Sequence, residues 1–309
     1  LGIRKAGGIK ETMFNKTVAL GTRRYLDPAS LGPIERLVDG ALDILVRNKV
    51  RGRFGGRLKA LVSGGAPLNP DIGLFFTALG LRILQGYGQT ETSPSVSVNR
   101  PNDIKLHTVG PPMKGVQVKI ADDGEILVKG DLVMQGYWRN EEATRETIRD
   151  GWVHTGDIGI IDEDGHLQIT DRKKDIIVNS GGDNVSPQRV EGFLTVQPEI
   201  AQAMVYGDKR PHLVALLVPD QEFARDWAKS RDKPADLGEL ARDSDFRNAM
   251  SEAIERVNAS LSVIERVRRF TVTSEPFTIE NALLTPSLKI RRHKITEIHL
   301  DALEALYGH

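Results

Sequence analysis

Two short apolar segments joined by a helix place the strongest constraint on how this chain folds. Leu58 to Val62 and Leu81 to Leu84 predict buried strands. Asn69 followed by Pro70 predicts the start of the intervening helix, which we expect to run to about Leu79. Strand, helix and strand with short loops form a βαβ unit, whose two strands are parallel. The loops after both strands therefore lie at one edge of the sheet, where open α/β sheets bind ligands.

Both of those loops carry residues suited to a nucleotide. The first is SGGA (Ser63, Gly64, Gly65 and Ala66), and the second is QGYGQTE, in which Gln85, Gly86, Tyr87, Gly88, Thr90 and Glu91 are candidates. Glycine lets backbone approach a ligand closely. A tyrosine face stacks on a base for about 1–3 kcal/mol. Thr90 can donate to a phosphate oxygen, and Glu91 can hold Mg²⁺. An ordinary strand-to-helix loop is the structural alternative for each motif.

The remainder of the chain divides by pattern. Short alternating strands from about residue 106, with a hairpin signal at Asp162 to Gly165, predict a small antiparallel barrel or sheet. After Asp171 the pattern is α+β, with a long amphipathic helix from Met250 to Ile264 and a helical tail from Ile295 to Tyr307. We therefore predict an α/β and α+β multidomain protein. Its three parts are a partial parallel α/β subdomain (1–105), a small β subdomain (106–171) and a mobile α+β domain (172–309).

Composition excludes several classes of function. Lys plus Arg and Asp plus Glu both total 42, so no net field favours nucleic acid. Cysteine is absent, which excludes disulfides and thiolate chemistry and fits a reducing, cytoplasmic location. No apolar run approaches the roughly 20 residues that span a bilayer. The seven histidines form no HExxH-type pair, which argues against a zinc site.

Three further motifs contain candidate side chains. Asp157 in GWVHTGD could accept both ribose hydroxyls, and Arg172 could reach the same ribose. Lys289 in LTPSLKIRR could neutralise charge developing in a transition state, a contact worth about 2.7–4 kcal/mol. The alternatives are a turn aspartate, a surface arginine and a solvated lysine. We interpret His154 as structural.

In this order, QGYGQTE, GWVHTGD, DRKKDIIVNSGGD and LTPSLKIRR resemble the motifs of the acyl-adenylate-forming superfamily, which includes acyl-CoA synthetases, luciferases and peptide-synthetase adenylation domains. The resemblance covers nearly the whole chain. Within the superfamily the chain looks like a long-chain fatty acid–CoA ligase. The supporting features are NKVRGRFGGRLKALVSGGAPL, the LTPSLKIRR ending and a helical insertion from about Gln221 to Glu265.

The resemblance implies a two-step reaction. A fatty acid carboxylate attacks the α-phosphate of ATP to give acyl-AMP and pyrophosphate, and coenzyme A then takes the acyl group and releases AMP. On the family pattern, Tyr87 and the Ser63 to Ala66 loop flank adenine, Thr90 and Glu91 serve phosphate and Mg²⁺, Asp157 and Arg172 hold the ribose, and Lys289 catalyses adenylation. Lys174 occupies the hinge position, and Gly181 and Gly182 line the approach of pantetheine.

One family feature is missing from residues 1–57, the Ser/Thr/Gly-rich phosphate loop that ends in lysine. We therefore expect the chain to be the carboxyl-terminal half of a roughly doubled protein, and to be inactive alone. A lipid substrate is compatible with peripheral membrane contact of the parent protein. The oligomeric state stays open. Two alternatives also stay open: a fatty acyl-AMP ligase that delivers to a carrier protein, and a non-catalytic nucleotide-binding module.

Overall fold

The computed structural model describes residues 8 to 308 and has the mixed α/β and α+β architecture that the sequence predicts. The chain divides between Thr170 and Asp171 into two compact units. The finer division into three parts, with boundaries at residues 105 and 171, stays a prediction. Within the described range, no helix combines the length and apolar character needed to cross a bilayer.

The first unit begins with helices and continues mainly with strands. Its elements are α1 (Gly8–Leu26), α2 (Pro33–Leu42), α3 (Asn48–Arg53), β1 (Leu61–Ser63), α4 (Pro70–Ala78), β2 (Ile83–Tyr87), β3 (Ser97–Val98), β4 (Gln117–Ile120), β5 (Glu125–Lys129), α5 (Glu141–Thr147), β6 (Ile148–Arg149), β7 (Trp152–Ile161) and β8 (Leu167–Arg172). A π-helical segment, Asp43–Arg47, joins α2 to α3. Residues Thr90–Thr92 form a 3-10 turn.

The βαβ unit has the predicted topology. Its first strand differs from the prediction, because β1 is confined to Leu61–Ser63 and Val62 is 71% exposed. β1 pairs in parallel with β2, with Ser63 opposite Gln85, and α4 connects them. Asn69 caps α4, since its side chain accepts a 2.8 Å hydrogen bond from the backbone N–H of Asp71. β2 is longer than predicted and reaches Tyr87, because its last two residues pair with β3. Long-range pairing of this kind has no signature in the local sequence.

A buried arginine holds the helices of the first unit together. Arg47 is completely buried, and its Nη2 lies 2.6 Å from the Asp39 Oδ1. Its Nε donates to the carbonyl of Ala78 at 2.7 Å, and its Nη2 also donates to the carbonyl of Thr17 at 3.2 Å. These contacts join α1, the α2 region and the end of α4. Close packing of α1 on α4 requires Gly21, because a methyl group there would lie 2.5 Å from the carbonyl oxygen of Ala78.

The apolar positions around α2 divide between two environments. Leu31 and Leu42 are buried against α1 in a small cluster that includes Leu20. In contrast, Ile34 and Leu37 expose 78% and 76% of their surface, and Ile44 and Leu45 are also exposed. We refer to Ile34, Leu37, Ile44 and Leu45 as the exposed aliphatic strip.

The small β subdomain is an open antiparallel sheet. Its strands lie in the order β4-β5-β7-β6, with β8 paired to β7. Among residues 8–308 these strands do not close into a barrel. Of the two predicted forms, a barrel or a sheet, the sheet is therefore the correct one. One face packs Ile126, Val128 and Leu167 against Tyr87 and Val96. The core of this sheet therefore includes the end of β2.

The second unit is built on a three-stranded sheet with helices on both faces, and it also contains a separate two-stranded sheet. Its elements are β9 (Ile177–Val178), β10 (Asn184–Val185), α6 (Pro187–Leu194), β11 (Ile200–Tyr206), β12 (Leu213–Pro219), α7 (Gln221–Lys229), α8 (Leu237–Leu240), α9 (Ser244–Asn258), β13 (Val267–Val272) and α10 (Arg292–Glu304). The sheet has the order β11-β12-β13, antiparallel and then parallel. Every residue of β12 is buried, as expected for a central strand covered on both faces.

The long helix predicted from Met250 to Ile264 begins and ends earlier than expected, since α9 spans Ser244–Asn258. α9 ends at Asn258, and Val263–Glu265 forms a separate 3-10 turn. The Asn258 side chain bonds both the N–H and the carbonyl of Val267, which ties the end of the helix to the start of β13. Apolar spacing alone did not reveal this break, because Leu261 is still buried in the same core.

Candidate functional site

The two predicted ligand loops lie side by side at the carboxyl ends of β1 and β2. A methyl group on Gly64 would lie 3.2 Å from the carbonyl oxygen of Gly86, so the backbones of the two loops nearly touch. Gly65 has a φ of +81°, which favours glycine. Ser63 is half-buried, while Gly64, Gly65 and Ala66 are exposed. The first loop therefore presents bare backbone to solvent, as the sequence predicted.

The second loop folds back tightly after Tyr87. A methyl group on Gly88 would lie 1.6 Å from the carbonyl oxygen of Pro94, so no larger residue fits without moving the backbone. The N–H of Val96 donates to the Tyr87 carbonyl at 2.8 Å. Gln85 is buried, its side chain donates to the carbonyl of Leu106, and its own carbonyl accepts from the N–H of Asn99 at 2.8 Å, so a ligand contact by Gln85 stays a prediction.

A hydrogen bond joins Tyr87 to Asp157, two residues 70 positions apart. The Tyr87 hydroxyl donates to the Asp157 Oδ2 at 2.7 Å. Tyr87 is 9% exposed and packs in the core beside Ile126. Burial, followed by the negative charge of Asp157, raises the pKa of Tyr87 far above its usual value, so the hydroxyl stays protonated and remains a donor. Two of the sequence motifs therefore meet in one place.

Two residues outside the predicted set support this contact. The Gln89 Nε2 donates to the Thr155 carbonyl at 3.2 Å and to the Tyr87 hydroxyl at 3.4 Å. The Thr155 Oγ1 donates to the Ile126 carbonyl at 2.7 Å and accepts from the Asp157 N–H at 3.1 Å. Gln89 lies inside the QGYGQTE motif, and its two-residue spacing from Tyr87 could have identified it as a neighbour.

Glu125 fixes the backbone just before Asp157. This glutamate is buried at the start of β5 and accepts from the N–H of Gly156 at 2.8 Å. Its other carboxylate oxygen lies 3.2 Å from the His154 Nδ1. His154 thus has a structural partner, in agreement with its interpretation as structural. Sequence reasoning missed Glu125, because an acidic residue after a turn gives no sign that it becomes buried.

Thr90 and Glu91 form the start of the 3-10 turn that follows Gln89. Thr90 is exposed and Glu91 is half-buried. The Tyr137 hydroxyl donates to the Glu91 Oε1 at 2.8 Å, and the Met134 N–H donates to the Glu91 carbonyl at 2.9 Å. Burial, followed by the hydrogen bond to Glu91, raises the pKa of Tyr137. Tyr137 therefore also keeps its proton and orients the Glu91 carboxylate.

The carboxylate of Glu91, oriented by Tyr137, is the predicted ligand for Mg²⁺. No group of three or more His, Asp or Glu side chains within residues 8–308 is arranged to hold a metal ion by protein ligands alone. Mg²⁺ in phosphoryl-transfer sites commonly takes one or two carboxylates and completes its shell with water and substrate phosphates. A single oriented carboxylate, Glu91, matches that requirement.

In the second unit, Lys289 lies at the end of a small hairpin. The Thr285 N–H donates to the Lys289 carbonyl at 2.8 Å, and the Lys289 N–H donates to the Thr285 Oγ1 at 3.0 Å. Leu288 has a φ of +60°, an uncommon conformation for leucine. Lys289 itself is exposed. The predicted loop is therefore a hydrogen-bonded turn in which the side chain of Lys289 is exposed to solvent.

Gly181 and Gly182 occupy another structured turn, between β9 and β10. The Asn179 Oδ1 accepts from the N–H groups of Gly181 and Asp183, both at 2.9 Å. Gly182 has a φ of +87°, and a methyl group there would meet no atom within 4 Å. Both glycines are exposed. Asn179 shapes this turn and was absent from the predicted site residues.

The predicted hinge region is a tight turn directly after β8. Arg172, half-buried, is the last residue of that strand, and its carbonyl accepts from the N–H groups of Asp175 and Ile176 at 2.8 and 3.1 Å. Lys174 is exposed within the turn. The proposed roles of Lys174 as a hinge and Arg172 as a ribose ligand stay predictions.

Two glycine loops at parallel strand ends, beside a tyrosine–aspartate pair, are typical of a ligand-binding α/β protein. The model of the AMP-binding enzyme family matches residues 12–138, and the model of the AMP-binding enzyme C-terminal domain matches residues 174–309. The chain therefore belongs to the family of AMP-binding enzymes.

Comparison with individual proteins agrees with this family. The chain is 43% identical over 284 residues to the long-chain-fatty-acid–CoA ligase FadD15 of Mycobacterium bovis, covering 91% of this chain and 47% of that protein. The solved adenylation domain of a carboxylate reductase from Mycobacterium chelonae matches with a TM-score of 0.69 and 25% identity, covering 96% of this chain and 46% of that one.

A second solved structure is the o-succinylbenzoate coenzyme A synthetase of Bacillus subtilis in complex with AMP. It has a TM-score of 0.56 and 30% identity, covering 76% of this chain and 45% of that one. The chain thus spans about half the length of the relatives that it matches.

Proposed function

We propose that this chain contributes to the ATP-dependent activation of a long-chain fatty acid to acyl-AMP, followed by transfer of the acyl group to coenzyme A. The family supports the nucleotide chemistry, and the long-chain-fatty-acid–CoA ligase at 43% identity supports the acyl substrate and the acceptor. The structural observation that carries the proposal is the 2.7 Å hydrogen bond from Tyr87 to Asp157.

That hydrogen bond supports a nucleoside site because it joins Asp157, which we predict binds ribose, to the loop of Tyr87, which we predict flanks adenine. A carboxylate accepts up to about four hydrogen bonds, so the Tyr87 hydroxyl can orient Asp157 without exhausting its capacity to accept from ribose. The SGGA backbone lies across from Gly86 and provides an open surface for a flat base. We assign Asp157 to the ribose, with Arg172 as a second contact, and the loop backbones to adenine.

We assign phosphate binding to the next turn. Thr90 can donate its hydroxyl to a phosphate oxygen. Glu91, oriented by Tyr137, would hold Mg²⁺, which when bound supplies positive charge that offsets the charge of the phosphates. In the adenylation step the carboxylate of the fatty acid attacks the α-phosphorus, the bond from that phosphorus to the bridging oxygen breaks, and pyrophosphate leaves.

Lys289 is proposed to stabilise the negative charge that develops on the carboxylate and phosphoryl oxygens during this step. In the second step the coenzyme A thiol, losing its proton, attacks the acyl carbon, and AMP leaves. We place the pantetheine arm along Gly181 and Gly182, where side chains are absent. Lys174 is the proposed hinge between the two steps.

The test uses the full-length gene product. We expect exchange of labelled pyrophosphate into ATP that depends on a long-chain fatty acid, and AMP release that rises on addition of coenzyme A. Asp157→Ala should lower the exchange rate by about 10- to 100-fold, the loss of a hydrogen bond to a charged group. Asp131→Ala, at an exposed aspartate after β5, is the matched control and should leave the rate unchanged.

The outcomes separate the remaining alternatives. Exchange without any response to coenzyme A would indicate an acyl-AMP ligase that delivers to another acceptor. Nucleotide binding without exchange would indicate a non-catalytic module and would overturn the proposal. We also propose that the 309 residues alone catalyse no acyl-CoA synthesis, since residues 1–57 lack the phosphate-loop motif. Turnover by the purified 309-residue chain would contradict this second point.

A further inference from the structure

An ion pair in the second unit lies three residues beyond Lys289. Arg292, the first residue of α10, turns its guanidinium away from solvent toward α6. Its Nη1 lies 2.6 Å from the Glu191 Oε1, and its Nη2 lies 3.0 Å from the Glu191 Oε2. Two parallel hydrogen bonds of this kind fix both the distance and the angle between the partners.

The same pair is also bonded to the central sheet. The Val205 N–H, on β11, donates to the Glu191 Oε1 at 2.8 Å, and the Arg292 Nη1 donates to the Val205 carbonyl at 2.9 Å. Glu191 is 8% exposed. The consecutive elements α6 and β11 and the distant α10 are therefore joined at one point, and a buried charge would lose its partner if either member of the pair were removed.

The Lys289 hairpin is anchored from its other end by apolar packing. Leu283 and Leu284 are buried in the core that lies beneath α10, and Ile290 packs against the same core. The Arg291 N–H donates to the Leu283 carbonyl at 2.8 Å, which closes the base of the hairpin. Lys289 is thus held between an apolar anchor and the Glu191–Arg292 ion pair, while its own side chain is exposed.

We propose that Glu191 and Arg292 are positioning residues for adenylation, which hold the backbone of the Lys289 hairpin in its productive geometry. This inference rests on the proposed function, in particular on the role of Lys289. The physical reason is preorganisation. A group that stabilises a transition state must be fixed before charge develops, and a displacement of about 1 Å can cost about 100-fold in rate.

The experiment measures the two half-reactions separately in the full-length gene product. Glu191→Gln keeps the size of the side chain and an acceptor for the Val205 N–H, but removes the charge opposite Arg292. We expect acyl-AMP formation to slow by about 10- to 100-fold in kcat with little change in KM for ATP. Thioester formation from preformed acyl-AMP should change by less than about threefold, because Lys289 acts only in the first step.

A double-mutant cycle distinguishes positioning from a merely structural role. If Glu191 acts through Lys289, Glu191→Gln should have no further effect on adenylation once Lys289→Ala is present. Arg292→Lys, which keeps the charge but loses the two-point geometry, should recover part of the rate lost in Arg292→Met. The matched control is Arg189→Gln on the same helix, which breaks the exposed ion pair with Glu265 and should leave both half-reactions intact.

Circular dichroism and the thermal midpoint establish whether each variant is folded. Equal loss of both half-reactions, or additive effects of Glu191→Gln and Lys289→Ala, would overturn the positioning role. If the unsubstituted full-length gene product forms no acyl-AMP, the proposed function is overturned, and the positioning role with it. The two failures are therefore distinct.

Discussion

At the scale of single residues, the hydrogen bond between Tyr87 and Asp157 is the contact on which the candidate site depends. Both residues were predicted, but as separate contributors to base and ribose binding. The structure adds that one orients the other, and that Gln89 and Thr155 support both. A contact across 70 residues leaves no trace in periodicity or spacing, so the sequence could identify the participants but not their connection.

Removing the Tyr87 hydroxyl tests this connection. We expect Tyr87→Phe to weaken AMP binding about tenfold, because Asp157 loses a charge-assisted hydrogen bond worth about 1.5–3 kcal/mol and with it a fixed orientation. Isothermal titration of the full-length gene product with AMP measures the change. Tyr206→Phe is a matched control, since the Tyr206 hydroxyl donates to the Glu304 Oε1 at 2.6 Å in the second unit. Equal effects of the two substitutions would contradict the prediction.

Asp171 predicts a dependence of stability on pH. The pKa of Asp171 is raised from 3.8 to about 6. Burial is the largest cause, and the charge of Asp175 also raises the pKa, whereas hydrogen bonds from the Arg172 N–H and the Ser186 side chain lower it. The folded state therefore binds a proton more tightly than the unfolded state does. It follows that the stability contributed by protonated Asp171 is present below pH 3.8 and is lost as the pH rises through 6.

The measurement compares the thermal midpoint of Asp171→Asn with that of the unsubstituted protein between pH 4 and pH 7. Asparagine does not ionise and keeps an oxygen that can accept from the Arg172 N–H, which donates at 2.7 Å in the parent. We expect the thermal midpoint of the variant, relative to the parent, to rise as the pH increases over this range. A constant difference would show that Asp171 titrates normally. Asp183→Asn, at an exposed aspartate, serves as the control.

At the scale of secondary-structure elements, local sequence signals predicted helices and strands correctly where local contacts determine their bounds. Asn69 and Pro70 predicted the first turn of α4, which begins at Pro70, and the alternating pattern predicted the strands of the small β subdomain in the first unit. Prediction failed where distant contacts decide the outcome. β2 is extended by pairing with β3, and α9 stops where Asn258 bonds the backbone of Val267.

Arg47 is the clearest case of an element-scale feature hidden in the sequence. An arginine at the end of a helical segment is normally interpreted as a surface residue, yet Arg47 is fully buried and forms hydrogen bonds with Asp39, Ala78 and Thr17. We predict that Arg47→Met lowers the free energy of unfolding by about 3–5 kcal/mol, because Asp39 remains buried beside one remaining arginine, Arg24.

Chemical denaturation followed by a probe in the first unit measures this loss. Arg53→Met, at an exposed position on α3, provides the control and should change stability by less than about 0.5 kcal/mol. A change of similar size in both variants would mean that the buried contacts of Arg47 add nothing beyond what a surface arginine contributes.

At the scale of the whole molecule, the chain places its candidate residues on two units. The nucleotide loops and Asp157 belong to the first, and Lys289 with the Gly181–Gly182 turn belongs to the second. This division agrees with a reaction in which one lysine is needed for only one of two steps. The motifs supplied the candidate residues, whereas net charge and cysteine content only excluded other functions.

Lys289→Ala tests the assignment of steps. We expect acyl-AMP formation to fall by about 100- to 1,000-fold, the effect of removing one preorganised charge-stabilising contact, while thioester formation from preformed acyl-AMP is largely retained. Rapid-quench measurement of each half-reaction in the full-length gene product provides the rates. Lys294→Ala, at an exposed lysine on α10, is the control. A comparable fall in both half-reactions would refute the assignment.

The exposed aliphatic strip of Ile34, Leu37, Ile44 and Leu45 affects how the isolated 309-residue chain behaves in solution. Bare hydrocarbon of this kind promotes colloidal association, and excluded salts such as ammonium sulfate strengthen that tendency. Purification should therefore favour low protein concentration and low ionic strength. Light scattering that increases with added sulfate, and decreases when Leu37 is replaced by lysine, would identify this strip as the surface through which the chains associate.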